Sequence, residues 1–243
     1  MTLDRMVILA LDTSSRAGSM ALWRDGDVVA CRAGEPALTH AERLPSVLVA
    51  LLAARGLAPG DVDLFAVAAG PGSFTGLRVG IATVQGLAFA HNRLVVPVST
   101  LDALAVLGRD PVAPALIATW IDAQRHEVFS ALYGTERTGE ASVLDAPVVA
   151  APLATLDRWQ PLIQGRGVRF IGDGAAAYWS LIASRSGADV ALVDPLPPLA
   201  PAIARIAATR AAQDGGVPPH AIRPIYVRRP DAELARDRRA TEA

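Results

Sequence analysis

The residues with the clearest capacity for chemistry form a glycine-rich loop in the first third of the chain. The loop spans residues 70–76, reads G-P-G-S-F-T-G, and is followed closely by Arg78. Glycines let a backbone approach a ligand closely, and the N–H groups that begin a helix favour an anion. The loop therefore predicts either a phosphate or carboxylate cradle, or a tight strand-to-helix turn in which Ser73 or Thr75 caps the helix.

An acidic residue, Asp12, ends the first apolar run of the chain and is followed by a threonine and two serines. An acid at the carboxyl end of a strand, in an α/β crevice, is typical of metal–nucleotide sites. The alternative, that Asp12 hydrogen-bonds the neighbouring turn, is at least as common. The candidate nucleotide- or anion-binding residues are Asp12, Thr13, Gly70, Gly72, Ser73, Thr75 and Arg78.

Composition excludes several classes of chemistry. All 23 basic residues are arginine, so the chain has neither a Schiff-base lysine nor a phosphate-loop lysine. A single cysteine rules out an internal disulfide and a multi-cysteine metal site. The four histidines are scattered, and residues 122–127 are expected to form a structural turn, so no metal site is predicted. The formal net charge of −1 gives no global attraction to nucleic acid or membrane.

The elements that must position these residues alternate as in an α/β fold. In the first half, hydrophobic periodicity predicts strands at 6–12, 18–24, 28–32, 62–69 and 94–98 and helices at 39–55 and 77–91. Pro45 is expected to kink the first helix or to delay its start. In the second half, strands are predicted at 115–122, 127–133 and 168–171, with helices from 175 and at about 200–212. The Pro-rich stretch at 109–114 predicts a boundary between two units, 1–108 and 109–243.

The helix predicted at 77–91 has Arg78 as its one clearly charged side chain, and small residues recur on it four positions apart. A helix without a polar face must be covered on all sides. The cover is either the helix at 39–55 or another protein chain, and both alternatives stay open. The candidate partner-interface residues on the two helices are Leu44, Leu48, Leu51, Gly76, Gly80, Ala82, Thr83, Gly86 and Ala90.

The run A-A-G-P-G-S-F-T-G-L-R-V-G-I-A-T-V-Q-G-L-A-F-A, residues 68–90, resembles the TsaB family of small actin-like subunits. Similar landmarks follow in the family's order at 8–15, 40–45, 98–101, 121–123, 172–174 and 224–228. The resemblance covers nearly the whole chain. It implies an α/β fold of tandem ribonuclease-H-like (actin-like ATPase) domains, with mixed sheets flanked by helices and a reduced second domain.

The resemblance also implies a function and a set of partners. It implies a non-catalytic scaffold or activator that forms a heterodimer with TsaD, which transfers a threonylcarbamoyl group to the adenosine beside the anticodon of tRNA. TsaE is implied in the larger complex, tRNA as an indirect partner, and a homodimer when the chain is alone. No intrinsic cofactor is implied, and a site for ATP or ADP at the complex interface stays open. A cytoplasmic location without a membrane segment is expected.

Two features distinguish the chain from catalytic actin-like relatives. TsaD carries metal-binding histidines at positions where this chain has Thr100 and Leu104, and leucine cannot bind metal. Active actin-like ATPases have glycines after the acid of the second half, whereas here Asp122 is followed by Ala123 and Gln124, whose side chains obstruct a phosphate.

Three other hypotheses stay open from the sequence. The first is an actin-like ATP-dependent transferase or kinase that uses Asp12 and the glycine loop. The second is a peptidase, for which the sequence offers neither a metal site nor a Ser/His/Asp set. The third is a homodimeric nucleotide-binding module whose self-interface is the helix with small residues.

Overall fold

A computed structural model describes residues 6–34, 39–110, 116–135, 141–186, 189–213 and 215–228. The first half contains β1 (Ile8–Asp12), β2 (Ser19–Arg24), β3 (Asp27–Ala33), α1 (His40–Ala53), β4 (Leu64–Gly70), α2 (Phe74–Ala90), β5 (Leu94–Ser99) and α3 (Thr100–Gly108). The second half contains β6 (Leu116–Asp122), β7 (Val128–Thr135), β8 (Ala141–Ala150), α4 (Pro152–Ile163), β9 (Val168–Ile171), α5 (Asp173–Ala177), α6 (Trp179–Ser186), β10 (Val190–Val193) and α7 (Ala200–Gln213).

The two halves repeat one sheet topology. The strand order is β3-β2-β1-β4-β5 in the first sheet and β8-β7-β6-β9-β10 in the second, so β6 to β10 correspond to β1 to β5 in turn. In each sheet the first three strands are antiparallel neighbours and the last two run parallel to the first. The prediction of tandem ribonuclease-H-like domains with mixed sheets is confirmed. The second half is reduced in its parallel strands, because β9 and β10 have four residues each against seven and six in β4 and β5.

Local sequence signals explain the best-predicted elements. β1 is buried along its whole length because β2 and β4 pair with its two edges and α2 and α7 cover its two faces. The dipeptide Asp25-Gly26 has φ values of 55° and 87°, as a tight hairpin turn between β2 and β3 requires. At the start of α1, Thr39 and Glu42 form the predicted capping box. The helix begins at His40, so Pro45 does not delay its start.

Three apolar clusters divide the molecule into layers. α1 and α2 cover one face of the first sheet around Phe65. α3 contacts both sheets and includes the buried Leu101. α7, which includes the buried Ile203, packs beside α3 on the face of the first sheet opposite to α1 and α2. α4, α5 and α6 cover the outer face of the second sheet around Trp120 and Trp159. The junction between the halves is thus built from the ends of β1 and β6 and from the two central helices.

Four elements, α3, β8, α4 and β10, lie where the sequence gives no clear signal. For α3 the reason is local: Ser99 ends β5 and at once caps the helix, accepting from the N–H of Asp102 at 3.3 Å, so no turn separates the two. The single helix expected from residue 175 is instead two short helices that meet at Tyr178.

The predicted units 1–108 and 109–243 stay a prediction, and their boundary falls partly on residues outside the described ranges. α7 and the segment 215–228 belong to the second unit by sequence but pack on the first half. There Val217 exchanges two backbone hydrogen bonds with Val95 of β5, at 2.9 and 2.8 Å. Within the described ranges, no helix has the length and apolar character that a bilayer span requires.

Candidate functional site

A cleft of about 1030 Å³ separates the two halves at the ends of β1 and β6. Its walls are the loop 14–16 after β1, the start of α2, and the turn between β6 and β7. Of the candidate nucleotide- or anion-binding residues, Gly72, Ser73 and Thr75 line this cleft. Asp12 lines a smaller cavity behind it. Thr13, Gly70 and Arg78 line neither of these two cavities.

The loop after β1 is held in place by α1 and by the cap of α2. The carbonyl of residue 14 accepts from the N–H of Ser73 at 2.7 Å, and that of residue 15 accepts from Nε2 of His40 at 2.9 Å. Arg43, buried inside the domain, donates to the carbonyls of residues 16 and 17, the first at 3.1 Å. Four successive carbonyls are therefore committed to internal contacts, which fixes the shape of this wall of the cleft.

His40 has one defined tautomer in this arrangement. Its Nδ1 lies 2.8 Å from a guanidinium nitrogen of Arg43, and its Nε2 faces the carbonyl of Ser15. Because a guanidinium only donates and a carbonyl only accepts, the proton is on Nε2 and the ring is neutral. Burial lowers the pKa of His40, and the charge of Arg43 lowers it further, whereas the bond to Ser15 opposes the shift.

Asp12 bonds the neighbouring turn, as one of the two alternatives from the sequence proposed. It is only 4% exposed, and its Oδ1 accepts from the N–H of Ser14 at 2.8 Å and from the Ser14 hydroxyl at 2.6 Å. Burial raises the pKa of Asp12, the bonds from Ser14 and the nearby His40 lower it, and the charge of Asp173 raises it. A metal or nucleotide role for Asp12 stays a prediction.

The glycine loop packs against the rest of the protein at very short range. A Cβ on Gly72 would lie 2.6 Å from the carbonyl oxygen of Ser14. The Ser73 hydroxyl accepts from the N–H of Gly76 at 3.2 Å and so caps α2, as the tight-turn alternative predicts. Internal packing is therefore at least part of the reason why this loop contains glycine. Anion binding at the start of α2 stays a prediction.

Arg78 is engaged by two aromatic side chains. Its guanidinium lies 3.9 Å from the centre of the Phe74 ring, and its Nε is 3.5 Å from the hydroxyl of Tyr226. The two rings are themselves 5.9 Å apart. Arg78, which the sequence predicts as part of an anion site, thus joins the start of α2 to the C-terminal segment 215–228.

The turn between β6 and β7 closes the opposite side of the cleft. Residues 124–126 all have positive φ, between 58° and 60°, which is unusual for three successive residues other than glycine. Asp122 accepts from both the backbone N–H and the side-chain amide of Gln124, each at 2.8 Å. Asp122 therefore stabilises the turn.

Two residues of the site were not singled out from the sequence. Asp173 begins α5, lines the cleft, and accepts from the N–H of Asp122 at 3.0 Å. Arg228 donates to the carbonyl of Ala123 at 2.9 Å and pairs with Glu127, about a hundred residues away in sequence. Of the two, only Asp173 has a sequence signal, the G-D-G turn at residues 172–174. Arg228 has none, because its partners lie about a hundred residues away in the sequence.

The candidate interface residues separate into buried and exposed groups. Gly76 and Gly80 are buried against Thr13, since a Cβ on either would lie 2.1 Å from an oxygen of that residue. The three candidate leucines of α1 are buried against the sheet. These five positions are internal in the isolated chain, which corrects their assignment to a surface stripe. The residues that remain at the surface are Ala82, Thr83, Gly86 and Ala90, with Thr83 half-buried.

Metal ligation gains no support from the arrangement of side chains. Within the described residues, histidine, cysteine, aspartate and glutamate form no group of three or more suited to a metal ion. Thr100 and Leu104, which stand where the resemblance places the histidines of TsaD, both line the small cavity behind Asp12. The prediction that the chain holds no metal stays a prediction.

Comparison with known proteins gives one consistent family. A family model described as TsaD, tRNA N6-adenosine threonylcarbamoyltransferase, matches residues 35–233. The tRNA threonylcarbamoyladenosine biosynthesis protein TsaB of Escherichia coli K12 is 32% identical over 223 residues, 92% of this chain and 95% of that protein. A structure from Pseudomonas aeruginosa described as similar to peptidase YeaZ has a TM-score of 0.78 at 33% identity and covers 92% of this chain and 100% of its own. A second, YeaZ from the same organism, has a TM-score of 0.74 at 31% identity, covering 91% and 99%.

These matches extend over both halves rather than over one shared motif. The duplicated sheets, the capped glycine loop and the G-D-G turn at Asp173 also lie at the positions that the resemblance requires. The chain therefore belongs to the TsaB family, within the group of proteins that the TsaD family model describes.

Proposed function

We propose that the chain is the TsaB-type subunit of the complex that forms threonylcarbamoyladenosine in tRNA, and that it acts by binding TsaD without catalysing the transfer itself. The observation that carries the proposal is the similarity to Escherichia coli TsaB over almost the full length of both proteins. The TsaD subunit performs the transfer to the adenosine beside the anticodon, and this chain serves as its scaffold or activator.

A face of α1 and α2 supplies the surface that such a subunit needs. We call it the docking face, and it consists of Pro45, Val49 and Ala53 of α1 and Ala82, Gly86, Phe89 and Ala90 of α2. All are exposed and uncharged, with Phe89 at 80% and Val49 at 59% exposure. Exposed apolar positions grouped on packed helices are typical of interaction sites. Two helices from each subunit would form a small bundle burying on the order of 1,600 Å² in total.

The cleft supports a non-catalytic role for this subunit. Ser73 is committed to capping α2, and Asp12 is buried with a raised pKa. On the opposite wall, the turn carries side chains at Ala123 and Gln124, where an actin-like ATPase brings glycine backbone against a phosphate. Thr100 and Leu104 stand in place of the histidines of TsaD.

The proposal includes further partners and a location. TsaE joins the larger complex, tRNA is reached through TsaD, and ATP or ADP binds at a subunit interface rather than within this chain alone. The chain works in the cytoplasm, where the tRNA that TsaD modifies is made. In the absence of TsaD, the docking face pairs with that of a second copy.

The test is reconstitution with the TsaD and TsaE of the same organism and the enzyme that supplies threonylcarbamoyl-adenylate. We expect modified tRNA only when this chain is present, and no ATP hydrolysis by the chain alone. Equal modification without the chain would overturn the proposal. Hydrolysis of ATP by the purified chain, lost on substitution of Asp12, would favour an ATP-dependent enzyme instead.

The size of the cleft favours one second candidate, a nucleotide-binding module. A volume of about 1030 Å³ is large enough for a nucleotide. Calorimetry with ADP on the isolated chain, then on its complex with TsaD, separates this candidate from a nucleotide site formed only at the complex interface.

A further inference from the structure

A second cavity lies behind Asp12, at the inner end of the junction between the two halves. Its volume is about 230 Å³, and it shares Ser14, Ser15, Ile121 and Asp173 with the walls of the cleft. We call it the inner cavity. Pockets for drug-sized ligands measure roughly 300–1,000 Å³. The inner cavity therefore suits a smaller molecule that enters through the cleft.

Two carboxyl groups line the inner cavity, one from each half of the protein. Asp12 contributes from the end of β1 and is 4% exposed, whereas Asp173 contributes from the start of α5 and is exposed. Among the described residues that line this cavity there is no arginine or histidine, and the chain contains no lysine. A carboxylate withdrawn from water, such as that of Asp12, needs a positive charge or several donors to compensate it.

The pKa of each of the two carboxyl groups is raised in the folded chain. Burial is the main cause that raises the pKa of Asp12 and of Asp173, and the charge of Asp173 raises that of Asp12 further. At Asp173 the charge of Asp122 also adds to the shift. His40 and Arg43 share another small cavity with Asp12, and the bonds from Ser14 and the interaction with His40 lower the pKa of Asp12 without cancelling the shift. A cation between the two groups would stabilise both ionised forms.

A third lining residue has an unused hydrogen-bonding group. Thr100, at the start of α3, is 3% exposed, and its hydroxyl makes no hydrogen bond with the described part of the chain. Buried hydroxyls are almost always paired in folded proteins. A hydroxyl both donates and accepts, so it is suited to a polar ligand that also satisfies the carboxyl groups.

Ser14, Ser15 and Ser19 line part of the inner cavity, and one wall is apolar and narrows the chemical class of the ligand. Leu104, Ile121, Leu196 and Leu199 contribute aliphatic surface, and residues 197 and 198 are prolines. A magnesium ion requires oxygen ligands or water on every side, which this wall does not offer. A phosphate or carboxylate would be repelled by two acids. A positively charged nitrogen on a short hydrocarbon chain matches both kinds of wall.

We propose that the inner cavity binds a small aliphatic ammonium compound. Its nitrogen donates to the carboxylates of Asp12 and Asp173, with Thr100 as a further acceptor, and its carbon chain packs against Leu104 and Leu196. The site lies across the junction, so an occupied cavity stabilises one arrangement of the two halves. This inference does not depend on binding to TsaD, and its failure would leave the proposed function unchanged.

The test is calorimetric titration of the full chain with n-butylammonium chloride at constant ionic strength. We expect saturable binding with a dissociation constant on the order of 1 mM or tighter, given the small size of the probe. The neutral analogue n-butanol should give no saturable heat, and magnesium chloride should not compete. Absence of saturation by n-butylammonium, or equal binding of n-butanol, would overturn the proposal.

Three variants locate the binding. Asp173→Asn keeps the Oδ1 that accepts from the N–H groups of Asp122 and Gly174 and removes only the charge. It should weaken binding about tenfold or more, and Thr100→Val about two- to tenfold. Asp157→Asn, a carboxyl outside the inner cavity, should change nothing.

Circular dichroism confirms that each variant is folded. If Asp173→Asn does not fold, Asp12→Asn takes its place, because it also keeps the Oδ1 acceptor. Unchanged affinity in folded Asp173→Asn or its substitute, or equal loss in Asp157→Asn, would show that the amine binds elsewhere and contradict the assignment.

Discussion

A Cβ atom on Gly80 would lie 2.1 Å from Oγ1 of Thr13, so the glycine of α2 and the threonine after β1 are in direct contact. The contact joins α2 to the loop that forms one wall of the cleft. Thr13 is completely buried, and its Oγ1 is attached directly to the branched Cβ. The hydroxyl group therefore cannot move far enough to make room for a Cβ on Gly80. Gly80 is therefore a packing position of this subunit rather than part of its outer surface.

Substituting Gly80 and Gly86 of α2 one at a time distinguishes the buried face of the helix from its exposed face. Gly80→Ala should lower the free energy of unfolding by about 1–3 kcal/mol, because the added methyl group overpacks against Thr13. Gly86→Ala is the matched control, since a Cβ there meets nothing within 4 Å. It should raise stability by about 0.5–1 kcal/mol, the helix preference of alanine over glycine. Urea unfolding measures both, and equal effects of one sign would contradict the packing assigned to Gly80.

Stability should fall as the solution becomes mildly acidic, because of His40. The pKa of His40 in the folded protein lies below its ordinary value of 6.5, so the unfolded chain binds the proton more readily. The stability that the neutral His40 ring contributes is complete above pH 6.5. It is lost as the pH falls from 6.5 through the pKa of His40 in the folded protein. Urea unfolding between about pH 7.5 and 5 should show this loss, and His40→Gln should reduce it. A His40→Gln variant with the same pH dependence as the wild type would contradict the neutral, bonded ring.

Asp12→Asn should shift stability in the opposite direction. The pKa of Asp12 is raised in the folded state, so the fold disfavours its ionised form, and the resulting loss of stability is complete above the folded pKa. Asparagine keeps the Oδ1 that accepts from Ser14 and removes the charge. At pH 7, the melting temperature of Asp12→Asn should therefore be higher than that of the wild type. A lower melting temperature with normal circular dichroism would mean that the structure depends on the ionised carboxylate.

Arg228 should hold the turn between β6 and β7. It donates to the carbonyl of Ala123 and pairs with Glu127, whereas Arg223, within the described part of the chain, bonds carbonyls of its own segment. Arg228→Ala should change the free energy of unfolding by about 1 kcal/mol or less. Amide hydrogen exchange in residues 123–127 should nevertheless become faster in Arg228→Ala and not in Arg223→Ala. Unchanged exchange in both variants would show that the turn is stable without this contact.

The sequence predicts elements whose signals are local. The apolar run of β1, the Asp25-Gly26 turn and the Thr39–Glu42 capping box each depend on neighbouring residues, and each is present. α3 gave no such signal because Ser99 serves both the strand and the helix. The position of Arg228 depends on how residues far apart in sequence pack, which no local pattern encodes.

The same limit applies to the helix with small residues. Spacing of four identifies residues that share a helical face, as it does for Gly76 and Gly80 and for Ala82 and Gly86. It does not tell which face meets the rest of the subunit. That choice depends on the position of Thr13, which approaches the first pair and leaves the second exposed.

The most direct test of the central claim is a titration of tRNA modification by TsaD with this chain and with its Ala82→Arg variant. Ala82 is exposed on the docking face, so arginine there should leave the isolated subunit folded. At the interface, an unpaired buried charge costs roughly 3–5 kcal/mol, or about two to four decades in affinity. Ala183→Arg, at an exposed position of α6, is the control. We expect wild type and Ala183→Arg to support modification and to co-purify with TsaD, and Ala82→Arg to do neither while its thermal melting is unchanged. Modification supported equally by folded Ala82→Arg, or equally well without any added chain, would contradict the account.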